Sequence, residues 1–124
     1  MRIALTSNSD SGIDAEIFDH FGHTPFFMIV DIDNQSVNET TIVANPFVEL
    51  HQPGEVPTFL AEQKVDLVIS GGMGGKAKDL FKSNGIAVVT GASGLISDVI
   101  DQYLKNQLEN NPGYEPADKH TFHQ

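Results

Sequence analysis

The chain has 124 residues, enough for one domain with one real core. It has no cysteine, which excludes a disulfide framework and thiolate metal ligands, and no apolar run near the roughly 20 residues of a membrane-spanning helix. Its formal net charge of −10 repels phosphate backbones and argues against nucleic-acid partners. The acids are concentrated early: residues 1–64 hold ten acids and two bases, the remainder seven acids and five bases. A solubilising surface accounts for most of that excess.

In chain order, residues 2–6 (Arg-Ile-Ala-Leu-Thr) read as a first strand, followed to Pro25 by a loop rich in Ser, Asp, Gly and His. The start Met1-Arg2-Ile3 has no leader-like h-region, so a cytoplasmic address is expected. Residues 26–32 form a continuous apolar run, the mark of a strand covered on both faces. Asp33-Asn34-Gln35 is a turn signal, so residues 37–44 pair back as a third strand until Asn45-Pro46. Pro53-Gly54 and Pro57 start a helix that carries Val56, Phe59 and Leu60 at helical spacing up to Lys64.

Residues 66–70 read as a buried strand and residues 71–75 as a glycine run. A helix to about Ser83 follows, closed by Asn84-Gly85. Residues 86–90 are the fifth strand. After Gly91 and Gly94 comes a last helix with Ile96, Val99, Ile100, Tyr103, Leu104 and Leu108 on one stripe. Residues 1–109 thus form one α/β domain, and residues 110–124 read as a disordered tail.

Right-handed βαβ crossovers then imply a three-layer fold. Its mixed sheet has five strands, of which only residues 26–32 run antiparallel. The carboxyl ends of the other strands share one edge, and the entry loop of the reversed strand, residues 20–25, lies there too. Ligands of open α/β sheets bind at such an edge.

Four groups of residues could carry chemistry there. His20 and His23 flank Phe21-Gly22, and two imidazoles three apart can face one cleft as metal ligands. The alternative makes His20 a buried, hydrogen-bonded histidine that fixes the loop, with His23 solvated. Asn45-Pro46-Phe47 opens a long loop whose His51 can reach the same edge, or stand exposed without a role. Gly71, Gly72 and Gly74 sit between a strand and a helix, where backbone N–H groups can face an anion. The run is not a phosphate-binding Walker motif, because the spacing differs and Ala77 replaces the Ser or Thr that would hold magnesium. A tight turn that packs the helix on the sheet is its simpler explanation. His120 and His123 in the tail are either a loose metal trap or solvated. No cysteine nucleophile or Gly-x-Ser-x-Gly elbow is present, and Asp10, Asp14, Glu16 and Asp19 lack the spacing of a general acid/base pair.

Taken together, five segments in order resemble the dinitrogenase iron-molybdenum cofactor biosynthesis family. They are Arg2-Ile3-Ala4, Asp19-His20-Phe21-Gly22 before Pro25-Phe26-Phe27, Asn45-Pro46-Phe47, Ser70-Gly71-Gly72-Met73-Gly74, and residues 91–104. The family includes cofactor carriers of nitrogenase assembly and small stand-alone relatives. The resemblance implies a ribonuclease H-like motif and a nitrogenase-accessory-like role. The ligand would be an iron-molybdenum or related metal-sulfur cluster, or else a single divalent metal. By the resemblance, His20 is the first ligand to carry over. Where many relatives have a histidine–glycine-rich stretch, this chain has residues 48–53, with His51 in its place.

The expected function is a metal-binding carrier or scaffold rather than an enzyme. His20, His23 and His51 would be its metal ligands; His20, Gly22, Asn45, Gly71, Gly72 and Gly74 would line the cofactor. Expected partners are a cofactor-assembly or recipient protein, with no nucleic acid and no membrane, and the chain a monomer or weak dimer. Two other classes remain: a metal-dependent ribonuclease H-like phosphodiesterase, and a regulatory module that binds a small anion. A two-metal nuclease needs carboxylates on its central strands, and residues 2–6 contain none.

Overall fold

The computed structural model describes residues 1–46, 55–105 and 113–118. Among them are six strands and three α-helices. The strands are β1 (Arg2–Ser7), β2 (Phe26–Asp33), β3 (Ser36–Ala44), β4 (Leu67–Ile69), β5 (Ala87–Val89) and β6 (Tyr114–Glu115). The helices are α1 (Glu55–Glu62), α2 (Gly75–Ser83) and α3 (Ile96–Leu104). One mixed sheet runs in the order β3-β2-β1-β4-β5-β6.

Side-chain alternation along the central strands divides the interior in two. Ile3, Leu5, Met28, Val30, Leu67, Ile69 and Val89 point to one face, where Ile96, Val99 and Ile100 of α3 cover them. Ala4, Phe27, Ile29, Val68 and Val88 point to the other, under Val56 and Leu60 of α1 and Phe81 of α2. Neither core could form without its helices, because both faces of the central strands are apolar.

Local chemistry sets the connections. Asn34 and Gln35 both have positive φ, 52° and 64°, which closes the two-residue turn between paired Asp33 and Ser36. At the end of α2, Gly85 takes φ 81°, and the amides of Gly85 and Ile86 bond back to the carbonyls of Lys82 and Phe81 at 3.1 and 3.0 Å. This Schellman closure brings Ile86 onto Phe81 within one core.

The sheet differs from the expected one at its far edge. It has six strands rather than five, and β6 lies in the stretch read as a disordered tail. β6 pairs antiparallel with β5, Tyr114 opposite Val89, so β2 is not the sole reversed strand. The cause is tertiary. Gly113 comes so close to β5 that an added Cβ would sit 2.0 Å from the Thr90 carbonyl oxygen. Glu115 accepts from Lys82 Nζ at 2.8 Å and Lys78 Nζ at 3.1 Å, both on α2.

Candidate functional site

Register fixes which loops meet. Ser7 ends β1 opposite Phe26, which begins β2 and pairs with Ala44, the last residue of β3. The carboxyl ends of β1, β3, β4 and β5 therefore share one edge with the start of β2.

The long first loop folds back across that edge. It is fastened mostly through its backbone. Phe18 N–H donates to the Thr6 carbonyl at 3.3 Å, and Thr6 Oγ1 donates to the Phe18 carbonyl at 3.0 Å. Farther back, Ile17 N–H bonds to Gly94 O at 2.9 Å, and Ile96 N–H to Ala15 O at 2.9 Å. These contacts tie the loop to the start of α3.

The next residues lie on the glycine run. Gly71 N–H donates to Phe18 O at 3.3 Å, and Phe21 N–H donates to Gly72 O at 2.9 Å. Approach is close: a Cβ on Gly71 would lie 2.7 Å from Asp19 Cα, and one on Gly72 would lie 2.9 Å from Asp19 O. So Gly71 and Gly72 let two backbones touch, the first loop against the glycine run, rather than the helix against the sheet as weighed from the sequence. Gly71 O in turn accepts from Gly91 N–H at 2.8 Å, joining the loop after β5. Gly74 and Gly75 differ, because nothing lies within 4 Å of a Cβ built on either. That part of the run is open at the start of α2.

His20 stands immediately before a single 3-10 turn, Phe21–His23, in which Gly22 is the middle residue. Phe21 is buried against Phe81, with ring centroids 5.0 Å apart, and so pins the turn to the core. Both histidines remain exposed, their ring centroids 6.5 Å apart and nearly perpendicular. The alternative of a buried, loop-fixing His20 is therefore not what the structure has. The fixing is done instead by Phe21, and by Thr24, which was not singled out from the sequence. Thr24 is fully buried. Its Oγ1 accepts from Ser7 N–H at 3.2 Å and lies 3.0 Å from the Phe26 carbonyl, to which it donates.

Asn45 is buried as well, and its Nδ2 donates to the Thr24 carbonyl at 3.0 Å. In this arrangement it braces the His20 turn from beneath. The sequence signal for such a role was its place after β3, opposite residues 24–26; the carbonyl it meets is visible only in three dimensions. His51, His120 and His123 lie outside the described residues.

The donor set can be tested against a metal. Among the described residues, no group of three or more His, Cys, Asp or Glu is placed to hold a metal ion. His20 and His23 form a pair. With metal–nitrogen bonds of about 2.1 Å, a shared ion would hold the two ring centroids roughly 5–6 Å apart, closer than the observed 6.5 Å. Two imidazoles do not complete a four-coordinate site for a bare ion.

Comparison with known proteins gives concordant results. A family model described as dinitrogenase iron-molybdenum cofactor matches residues 1–106. An uncharacterized protein of Methanocaldococcus jannaschii is 30% identical over 111 residues, covering 88% of this chain and 90% of that protein. The crystal structure of PH0822 superposes with a TM-score of 0.81 at 37% identity, over 87% of this chain and 94% of that one. The apo form of the orange protein from Desulfovibrio gigas superposes with a TM-score of 0.76 over 92% of this chain and 95% of that one; at 24% identity this likeness concerns the fold. The chain belongs to the dinitrogenase iron-molybdenum cofactor family.

Proposed function

We propose, with that membership as the premise, that the protein carries a metal-sulfur cluster of the iron-molybdenum type at the loop edge of its sheet and catalyses no reaction on it. The observation that carries the proposal is the presentation of His20. Its backbone is bolted between β1, the Gly71-Gly72 turn and the Phe21 anchor, while its ring is exposed beside that of His23. A rigid base with an outward imidazole is what a reversible ligand requires.

His20 would bind a metal atom of the cluster and His23 would assist, with His51 as a further donor. The cluster supplies its own sulfides, so the lack of cysteine is compatible with this cargo. Gly22 keeps the turn compact between the two rings, and Gly71 and Gly72 place it. The open start of α2 at Gly74 gives an anionic cluster room near backbone N–H groups. Asn45 would act beneath the site by holding the Thr24 carbonyl. The strand order β3-β2-β1-β4-β5 with β2 reversed supports a ribonuclease H-like motif without its nuclease chemistry, since no acid stands on β1. Among the described residues no helix is long and apolar enough to cross a membrane, and the reading assigns the carrier to the cytoplasm. It would act between an assembly protein and a recipient of the cluster.

Elemental analysis of untagged protein purified from its own source tests the proposal. Molybdenum or iron should accompany the protein at a fixed ratio that His20→Ala lowers. Purified protein with neither metal, and with no uptake on incubation with an iron-molybdenum cluster, would remove it.

A further inference from the structure

The two faces of the sheet are covered unequally. Of the described helices, α1 and α2 lie on one face and α3 on the other, where Ala15 and Ile17 of the first loop join it. Among the described residues, the part that no helix covers is the β3–β2 side of the α3 face. There the register aligns Ile42 with Met28 and Val37 with Ile32 across the hairpin. Met28 and Ile32 are buried, whereas Val37 and Ile42 are 42% and 38% exposed. Ile13, from the 3-10 turn Gly12–Asp14, is 47% exposed at the same place. Of the five exposed large hydrophobic residues among those described, these are three. They line a groove of about 460 Å³ between β3 and α3, floored by Met28 and walled by Ile100 and Asp101.

We propose that this groove docks an amphipathic helix of a partner protein, one with an apolar stripe bordered by Lys or Arg. Three features select that occupant. The gap lies on the sheet face beside α3, where the opposite face carries its second helix, so a helix completes the layer. The lining is apolar apart from a few small polar groups, and its one charged side chain is acidic, Asp101, with Asp14 next to Ile13 in sequence. The described bases do not line it: Lys76, Lys78 and Lys82 belong to α2 and Lys64 follows α1, both on the other face, Arg2 is paired with Asp31 at 2.8 Å, and Lys105 caps the end of α3, one turn beyond Asp101 and outside the lining. Charge complementarity therefore favours a basic helix. It disfavours a second copy of this chain, since a two-fold contact would bring together two acidic surfaces of a protein of net charge −10. None of the residues that line the groove is among those proposed to hold the cluster, so a partner could hold the protein while His20 stays accessible.

The test uses the full chain and a fluorescent 14-residue peptide with Leu at i, i+3, i+4 and i+7 and Lys elsewhere, beside a Leu/Glu counterpart. Anisotropy should rise with the Leu/Lys peptide and not with its acidic twin. Ile42→Arg should weaken binding at least tenfold and Asp101→Asn severalfold. Both positions are exposed, and circular dichroism verifies that the variants fold. Glu62→Gln removes one charge from α1, on the other face, and should leave binding within twofold. Equal effects of Glu62→Gln and Asp101→Asn would reduce the binding to general charge attraction and overturn the proposal. So would the absence of binding at millimolar peptide. A dimer in sedimentation that Ile42→Arg dissolves would assign the groove to a second copy instead.

Discussion

Two segments reach the loop edge of the sheet from opposite ends of the chain, and they are fastened by different forces. Residues 15–24 are held by backbone bonds to β1, Gly71, Gly72 and Gly94, and by buried Phe21, Thr24 and Asn45. None of those fastenings is an ion pair. Residues 113–118 are held by two β6–β5 pairings, the Gly113–Thr90 approach and the Glu115 carboxylate between Lys78 and Lys82. The first attachment should ignore salt and pH over a wide range, while the second should respond to both. A loop with the ligand role proposed for His20 gains from the first kind, because its position would not depend on a charged cargo arriving nearby.

The comparison can be broken most severely at Gly71. Gly71→Val pushes a branched side chain into the Asp19 backbone and should cost about 2–3 kcal/mol in a urea melt. A variant of wild-type stability would mean the two backbones are not in contact. Thr24→Val comes next. It leaves the buried Ser7 N–H without its hydroxyl acceptor and should cost about 1–3 kcal/mol, with the same loss at low and high salt. A loss that shrinks in salt would refute the charge-independent fastening.

The smallest effect belongs to the tail. Hydrogen bonds from Lys82 first, and Lys78 second, hold the Glu115 carboxyl below its ordinary value of 4.5. A depressed carboxylate stabilises the folded state above the unfolded pKa, and that contribution fades as pH falls through the lower folded value. Hydrogen exchange at Tyr114 and Glu115 should therefore quicken in Glu115→Gln and in high salt. As pH falls from about 4.5 through the lower folded value, wild type and variant should converge after correction for intrinsic exchange rates. Because Glu115 is at the surface, the global melt should hardly change. Exchange that ignores salt would show that β6 depends on its pairing and on Gly113 alone.

Much of this architecture was readable in the chain itself. The unbroken apolar run of β2 announced a strand buried on both faces, Asn34-Gln35 announced the hairpin, and Asn84-Gly85 marked the end of α2. These are local signals, and local backbone preference agreed with the fold. β6 was not readable, because Tyr114-Glu115 is a two-residue strand among Pro112, Gly113 and Pro116. Its conformation comes from the open edge of β5 and from lysines some 30 residues earlier. The edge position of His20 followed from the reversal of β2. The bracing by Thr24 and Asn45 did not, since a polar side chain next to a strand does not say which carbonyl it will face. Gly71 and Gly72 admitted two interpretations from sequence, an anion cradle or a tight turn that packs the helix on the sheet; the close approach they make is to the Asp19 backbone of the first loop, which sequence spacing does not reveal.

The account rests on His20 as an exposed ligand on a rigid base, and His20→Ala tests it most directly. Wild type and variant are titrated with an iron-molybdenum cluster, with a urea melt of each apo protein alongside. The account predicts at least a tenfold loss of affinity, about 1.4 kcal/mol. Apo stability should stay within about 0.5 kcal/mol, as for other surface substitutions. Unchanged affinity in a stably folded variant would contradict it and remove His20 from the site.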